Sequence, residues 1–444
     1  MTQISGGMAR RAVLLAPLAL GGCGLWDNWF GTEKKPLPGK REPVMTTGLG
    51  LRVDTNAPKV VLPPPVRNVA WPQAGGNPAH LMGHLAANEQ LAEAWRAGIG
   101  EGGGYRQKIL AQPVVANGLV YTMDSDAVVS AFQMSGGARV WRTDSKAKDD
   151  DSTNVGGGLA FDRGTLYAVN GLGEIVAFDA ATGKARWRNT FGAPTRSAPT
   201  IVEGRIFVVT IEDRLLALAA DDGRRLWDHQ ATNPVTEVLG QPAPAYANGL
   251  VVAGFGSGEL ACLRADSGNV VWSDSLGGGL GSPTMTDFSS IRGRPAISNG
   301  RVFAIGMGGV ALALDLPTGR RLWERHVSGM DSPWVAGSWM FIVSAGQEMA
   351  ALNTADGKVA WLAPLPSWEN PDKHTGSISW WGPVLVSDRL VVTGTTGEAL
   401  AVSPYTGAIL GRQPLSAAAA PIEPVVADGT LLVVTNDGRL LALR

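Results

Sequence analysis

The stretch from Pro199 to Trp227, PTIVEGRIFVVTIEDRLLALAADDGRRLW, decides the fold. It holds two short apolar runs, Arg205 to Thr210 and Leu215 to Leu218. Glu203-Gly204 precedes the first, and Asp222-Gly223 follows the second, four residues before the tryptophan. Short apolar runs bounded by Asx-Gly or Glx-Gly pairs read as strands joined by tight hairpins, because such turns need positive φ and glycine supplies it without a steric penalty. The same pattern recurs at Pro242, Asn248-Gly249, Gly258, Leu260 to Leu263, Ser267-Gly268 and Trp272. It returns at Pro295, Asn299-Gly300, Ala311 to Leu314, Thr318-Gly319 and Trp323.

Marked by tryptophan, the units end at Trp95, Trp141, Trp187, Trp227, Trp272, Trp323 and Trp361. A spacing of about 40 to 50 residues is that of a four-stranded propeller blade. A further unit carries Pro383, Gly397 and Thr406-Gly407, with Gly411 where tryptophan is expected. Leu91 to Arg96 is a last strand without the strands that should precede it. The other end has the reverse: Pro424, Asp428-Gly429, Leu431 to Thr435, Asp437-Gly438 and Leu440 to Leu443, with no tryptophan strand after them. Joining the two makes one composite blade and removes an exposed sheet edge. The expectation is an all-β, eight-bladed β-propeller over residues 71–444, built of four-stranded antiparallel blades and closed by pairing of the N- and C-terminal strands.

The repeated tryptophan reads as packing between neighbouring blades, its large apolar area welding adjacent sheets and its N–H reaching a backbone acceptor. A ligand platform needs one or two such rings facing a pocket, not one in nearly every unit. Glycine is abundant at 58 of 444 residues, and 45% of residues are hydrophobic, which excludes a disordered chain. Lys+Arg is 38 against 39 Asp+Glu, so there is no basic field to gather nucleic acid. The two cysteines, Cys23 and Cys262, provide neither a disulfide framework nor a cysteine zinc site. Cys262 stands where another unit has Ala177 and reads as a small buried residue. His80 and His84 have metal-like spacing, but Asn77-Pro78 and Gly83 argue against a helix and no third ligand is evident, so no metal is expected. Gly98-x-Gly100-x-x-Gly103 opens no helix and reads as turns. No nucleophile elbow or catalytic set appears, and no cofactor or catalytic residue is expected.

The N-terminus reads as an address. Arg10-Arg11 precede the apolar run Ala12 to Leu20, which is too short to span a bilayer. It ends in Leu20-Gly21-Gly22-Cys23, similar to the bacterial lipobox, in which the cysteine is lipidated and becomes the first mature residue. Residues 1–22 are therefore expected to be a lipoprotein signal peptide, starting at Met1 or Met8, with palmitate-type acylation at Cys23. Several acyl chains on one cysteine give durable attachment. Gly24 in place of Asp favours the outer membrane, the body facing the periplasm. Residues 23–70, rich in proline and without a sustained period, are expected to be a disordered tether.

The unit Ala-x-Asp-x-x-Thr-Gly-x-x-x-Trp resembles the pyrroloquinoline-quinone-like propeller repeat, best seen in Ala177-Phe178-Asp179, Thr182-Gly183, Trp187 and in Ala313-Leu314-Asp315, Thr318-Gly319, Trp323. Quinoprotein dehydrogenases and the BamB family, lipoproteins of the outer-membrane barrel assembly machinery, share that repeat. Quinoprotein dehydrogenases resemble each other in a vicinal Cys-Cys pair, which this chain lacks. The lipobox, tether, eight units and size resemble the BamB family, as does Trp71-Pro72-Gln73 before Gly75-Gly76. That resemblance implies a non-catalytic scaffold that binds the periplasmic domains of BamA within the barrel-assembly complex and aids folding and insertion of outer-membrane proteins, with contact to unfolded clients a further implied role. It places partner contacts on loops between neighbouring blades at one face, here 236–240 and 287–294, with Val238, Leu239, Ile291 and Arg292 as the partner-binding candidates. The charge arrangement departs from that of other members, since the first loop has no arginine. The competing expectations are a quinone-dependent dehydrogenase and a general periplasmic propeller that binds peptide or cell wall. Trp368, Trp380 and Trp381 flank a polar insert, Glu369 to Ser377, of the kind that carries binding on a propeller face.

Overall fold

The structure, a computed structural model, describes residues 50–88, 90–232, 240–277 and 289–444. Its strands form eight four-stranded antiparallel sheets, the blades of an eight-bladed β-propeller, and no α-helix occurs among the described residues. Blade 1 comprises Val114–Ala116, Leu119–Met123, Val128–Gln133 and Arg139–Asp144. Blades 2 to 6 repeat it, their first strands starting at Gly157, Thr200, Ala245, Ala296 and Trp334. Blade 7 is Trp380–Val386, Arg389–Gly394, Glu398–Val402 and Ile409–Pro414. Blade 8 is composite: Val425–Ala427, Thr430–Thr435 and Arg439–Leu443 come from the C-terminal end, and the outer strand is Glu93–Gly98. The ring closes as the repeat pattern requires, with the orphan strand two residues later than expected and Trp95 opposite Ala442.

The turns take the geometry their residues dictate. Between first and second strands, Asn117-Gly118, Glu203-Gly204, Asn248-Gly249, Asn299-Gly300 and Asp428-Gly429 have positive φ at both positions, the twist-matched two-residue hairpin. Between third and outer strands, the Asp179 carboxylate accepts the Thr182 N–H and hydroxyl, and the Asp315 carboxylate does the same for Thr318. In each outer strand the register slips by one residue just before the tryptophan position: Trp227 faces Ala217, but Arg225 faces Leu218. This β-bulge leaves Leu226, and its counterparts Val140, Val271 and Leu410, unpaired and exposed.

The tryptophans dock between blades. Trp141 donates to the Ala180 carbonyl of the next blade at 3.0 Å, Trp227 to Ala265 at 3.1 Å, Trp272 to Leu316 at 2.7 Å and Trp361 to Pro404 at 2.8 Å. Each ring lies on the turn glycine of that next blade. A Cβ at Gly183 would sit 2.6 Å from the Trp141 ring, so this position needs glycine for its close approach as well as for its φ of 72°.

Part of the stretch expected to be a disordered tether is ordered against the body. Residues 50–70 lie along the body: Leu51 and Val60 are buried in apolar clusters, Asp54 accepts the Val359 N–H at 2.8 Å, and Arg67 pairs with Asp428. Prolines that forbid a regular element still permit an extended strap whose polar groups find partners on a surface already built.

From Asn68 the chain runs once round the inside of the ring. It bonds the first strand of every blade, or the turn that follows it, in ring order. The Asn68 carbonyl takes Asp428 N–H, Trp71 exchanges both backbone bonds with Val115, and the Pro72 carbonyl takes Phe161 N–H. The Gln73 side chain accepts Ile201 N–H at 2.8 Å, and the Pro78 and Ala79 carbonyls accept Tyr246 and Ile297 N–H at 2.7 and 2.8 Å. The Gly83 carbonyl accepts the Trp334 indole at 2.8 Å, and the Leu85 carbonyl accepts Ser387 N–H at 2.8 Å. Val66 then pairs with Leu85, so the belt closes on itself. It satisfies backbone groups that the inner strand edges would otherwise turn toward the channel.

Candidate functional site

Antiparallel alternation puts every connection from an outer strand to the next blade's first strand at one end of the ring. Both loops singled out in the sequence are such connections, from blade 3 to 4 and from blade 4 to 5. Val238 and Leu239 lie outside the described residues, as does Cys23. Ile291 is buried, 1% exposed, in an apolar cluster with Leu276, Val310 and Leu312, and its amide donates to the Phe255 carbonyl at 3.0 Å. Ile291 therefore anchors the loop from below and offers no surface in this conformation. Arg292, next to it, is half-buried and turns its guanidinium toward the Pro421 carbonyl at 3.4 Å.

Arg292 lines a cavity of about 400 Å³ together with Lys108, Met330, Trp381 and Pro421. The structure thus joins two features far apart in sequence, Arg292 and one tryptophan of the insert region. Trp380, by contrast, is 2% exposed and packs in the core, while Trp368 stacks on His374 at 5.6 Å on a small hairpin formed by Trp368–Asn370 and Thr375–Ser377. Two cations, an indole and a thioether around one mouth suit acidic and apolar side chains of a protein partner.

Close to that cavity lies a charged cluster that the sequence did not reveal. Arg294 and Glu423 pair at 3.0 Å with little exposure, and Glu423 also accepts the Ser332 hydroxyl at 2.9 Å. Burial alone would raise the Glu423 carboxyl, but the charge of Arg294 and the hydrogen bonds from the backbone, Ser332 and Arg294 together hold the group down to about 2. Burial and the like charge of Glu423 push Asp331 up to about 8. His80, on the belt, bonds the Pro295 carbonyl at 2.7 Å; burial first, then Arg294, lower it to about 3. Gln112 ties the cluster to the belt, donating to the Glu423 carbonyl at 3.1 Å and accepting from Trp71 Nε1 at 3.2 Å. Only the meeting of five distant segments makes this network, so no local signal could have found it.

The two histidines with metal-like spacing serve different neighbours. His84 Nδ1 bonds the Pro63 carbonyl at 2.7 Å and its Nε2 accepts the Asp388 N–H at 3.1 Å. Cys262 is fully buried in blade 4, and burial pushes its thiol up to about 12, the behaviour of a small apolar packing residue.

The comparisons with known proteins agree with this architecture. A family model described as "Outer membrane protein assembly factor BamB" matches residues 125–363 and 366–444. A protein of that name from Shewanella oneidensis is 24% identical over 355 residues, covering 78% of this chain and 87% of the relative. Among solved structures, BamB from Moraxella catarrhalis superposes with a TM-score of 0.68 at 20% identity, over 80% of this chain and 99% of that one. A quinohemoprotein alcohol dehydrogenase from Comamonas testosteroni also superposes, with a TM-score of 0.65 at 14% identity over 85% of this chain and 81% of that one, a likeness of fold alone. With the family model matched over most of the ring, the chain belongs to the BamB family of outer-membrane protein assembly factors.

Proposed function

We propose that this chain is a lipid-anchored, non-catalytic scaffold of the outer-membrane barrel assembly machinery, holding the periplasmic domains of BamA at the end of the ring that carries the blade-to-blade connections. The observation that supports this reading is the clustering of Arg292, Lys108 and Trp381 around one cavity at that end, beside a connection the family resemblance marks for partner contact. The cationic rim steers an acidic partner and the indole supplies a buried anchor. Lipidation at Cys23 keeps the propeller at the inner leaflet of the outer membrane, facing the periplasm, and the residues before the strap at 50–70 give it reach.

A binding titration of the soluble chain against the purified periplasmic domains of BamA tests the assignment. Arg292→Glu is expected to weaken binding about tenfold or more, with the wild-type affinity falling as salt rises. Equal binding by wild type and variant, or no capture of BamA by a photo-cross-linker placed at position 292 in membranes, overturns it. Cys23→Ser is expected to release the protein from the membrane fraction.

A further inference from the structure

Seven of the eight blade junctions are built alike, and the eighth is not. At the seven, a tryptophan from one outer strand lies on a turn glycine of the next blade: Trp95 on Gly137, Trp141 on Gly183, Trp187 on Gly223, Trp227 on Gly268, Trp272 on Gly319, Trp323 on Gly357 and Trp361 on Gly407. Between blades 7 and 8 both partners change. Gly411 replaces the tryptophan, opposite Ala401 in the ladder, and nothing lies within 4 Å of where its Cβ would be. Four residues before Trp95, where each other blade has its turn glycine, stands Leu91. Blade 8 has no hairpin there, because its third strand, Arg439–Leu443, and its outer strand, Glu93–Gly98, come from opposite ends of the sequence.

The vacated seat is a cavity of about 420 Å³ whose lining includes Leu91, Val391, Leu400, Leu431, Leu443 and Gly411. That is the size range of a small-ligand site with predominantly apolar walls. Its rim carries polar side chains, Glu93, Arg389, Arg412 and Gln413, while Ile409 and Leu410, further along the same outer strand, are exposed. Ring closure explains the missing turn. It does not explain why the facing strand also lost its tryptophan and left the space open.

We propose that this seam is a docking seat for a tryptophan side chain presented by an extended segment of a partner polypeptide. The molecule itself supplies the argument for the occupant, since seven equivalent junctions of this chain are filled by an indole. The free edge of Ile409–Pro414 gives an extended segment a strand to lie against, so that the ring enters sideways over Gly411. The third-to-outer turns lie at the end of the ring opposite the blade-to-blade connections, so the seat is separate from the Arg292 cavity and independent of the role assigned to it.

The test titrates the full chain, carrying labelled leucine and valine methyls, with the peptides acetyl-Ala-Ala-Trp-Ala-Ala-amide and its all-alanine analogue. The tryptophan peptide is expected to shift the methyls of Leu91, Val391, Leu431 and Leu443 saturably, and the alanine peptide is not. Gly411→Trp, which supplies the indole from within, is expected to weaken peptide binding at least tenfold. Leu91→Phe fills the seat from the opposite wall and carries the same expectation should the first variant not fold. No saturable shift, equal shifts by the two peptides, or undiminished binding by a folded filled variant overturns the proposal.

Discussion

The indole of Trp361 lies flat on Gly407: a Cβ built on that glycine would stand 2.7 Å from the ring, and the indole N–H reaches the Pro404 carbonyl at 2.8 Å. Gly407 has φ of 75°, so alanine there meets both a clash and an unfavourable backbone. Gly407→Ala is expected to destabilise by more than about 1 kcal/mol, whereas Gly411→Ala, in open space within a strand, is expected to be neutral or to stabilise by up to about 1 kcal/mol. Urea unfolding of the two variants measures the contrast, and equal losses would contradict the docking account.

Trp71 is the largest belt residue and is fully buried, stacked 6.3 Å from Trp334 and bonded through its indole to Gln112. Trp71→Ala removes that packing and leaves the Gln112 carbonyl with one donor fewer. A loss of about 3–5 kcal/mol is expected. Thermal unfolding should show it, and hydrogen exchange should rise at Val115, whose amide bonds the Trp71 carbonyl.

Arg292 and Arg294 are two residues apart and do different work. Arg294→Ala strands a nearly buried Glu423 carboxylate and should cost about 3–5 kcal/mol, while Arg292→Ala, facing the cavity, should leave stability nearly unchanged. A partner-binding loss with Arg292→Ala and a stability loss with Arg294→Ala is the expected pattern.

Asp331, raised to about 8 by burial and by Glu423, holds its proton in the folded protein over a range where the unfolded chain, near 3.8, has released it. The folded state then binds more protons, so this group's contribution to stability declines as pH rises from about 4 to about 8. Asp331→Asn should remove that decline. Glu423 and His80 act on the acid side: both are held low, so stability falls as pH drops through the 6.5 of an unfolded histidine and on toward about 2. Unfolding free energies of wild type and Asp331→Asn measured across this range should converge below about pH 4 and separate progressively up to about pH 8.

The repeat was legible because each blade solves the same local problem with the same residues. A turn needing positive φ shows as Asn-Gly or Asp-Gly wherever it occurs, and a docking indole shows as Trp four residues after glycine. The composite blade was legible for the same reason, as a strand set missing its last member and a last strand missing its set. The bulge before each tryptophan was not legible, since a one-residue register slip leaves no residue-type mark. Nor was the strap over 50–70: proline and polar residues look alike whether a chain is free or pressed against a surface.

What the sequence by itself determined is the blade count, the turn chemistry, the closure and the single buried Cys262, all properties of short segments whose physics is local. Only the tertiary structure decided that residues 68–85 encircle the channel, that Ile291 is buried while Arg292 faces a cavity with Trp381, and that Gly411 and Leu91 line an open cavity between blades 7 and 8. Those depend on which distant segments meet, and contacts between blades are fixed by packing of the closed ring, which no single segment encodes.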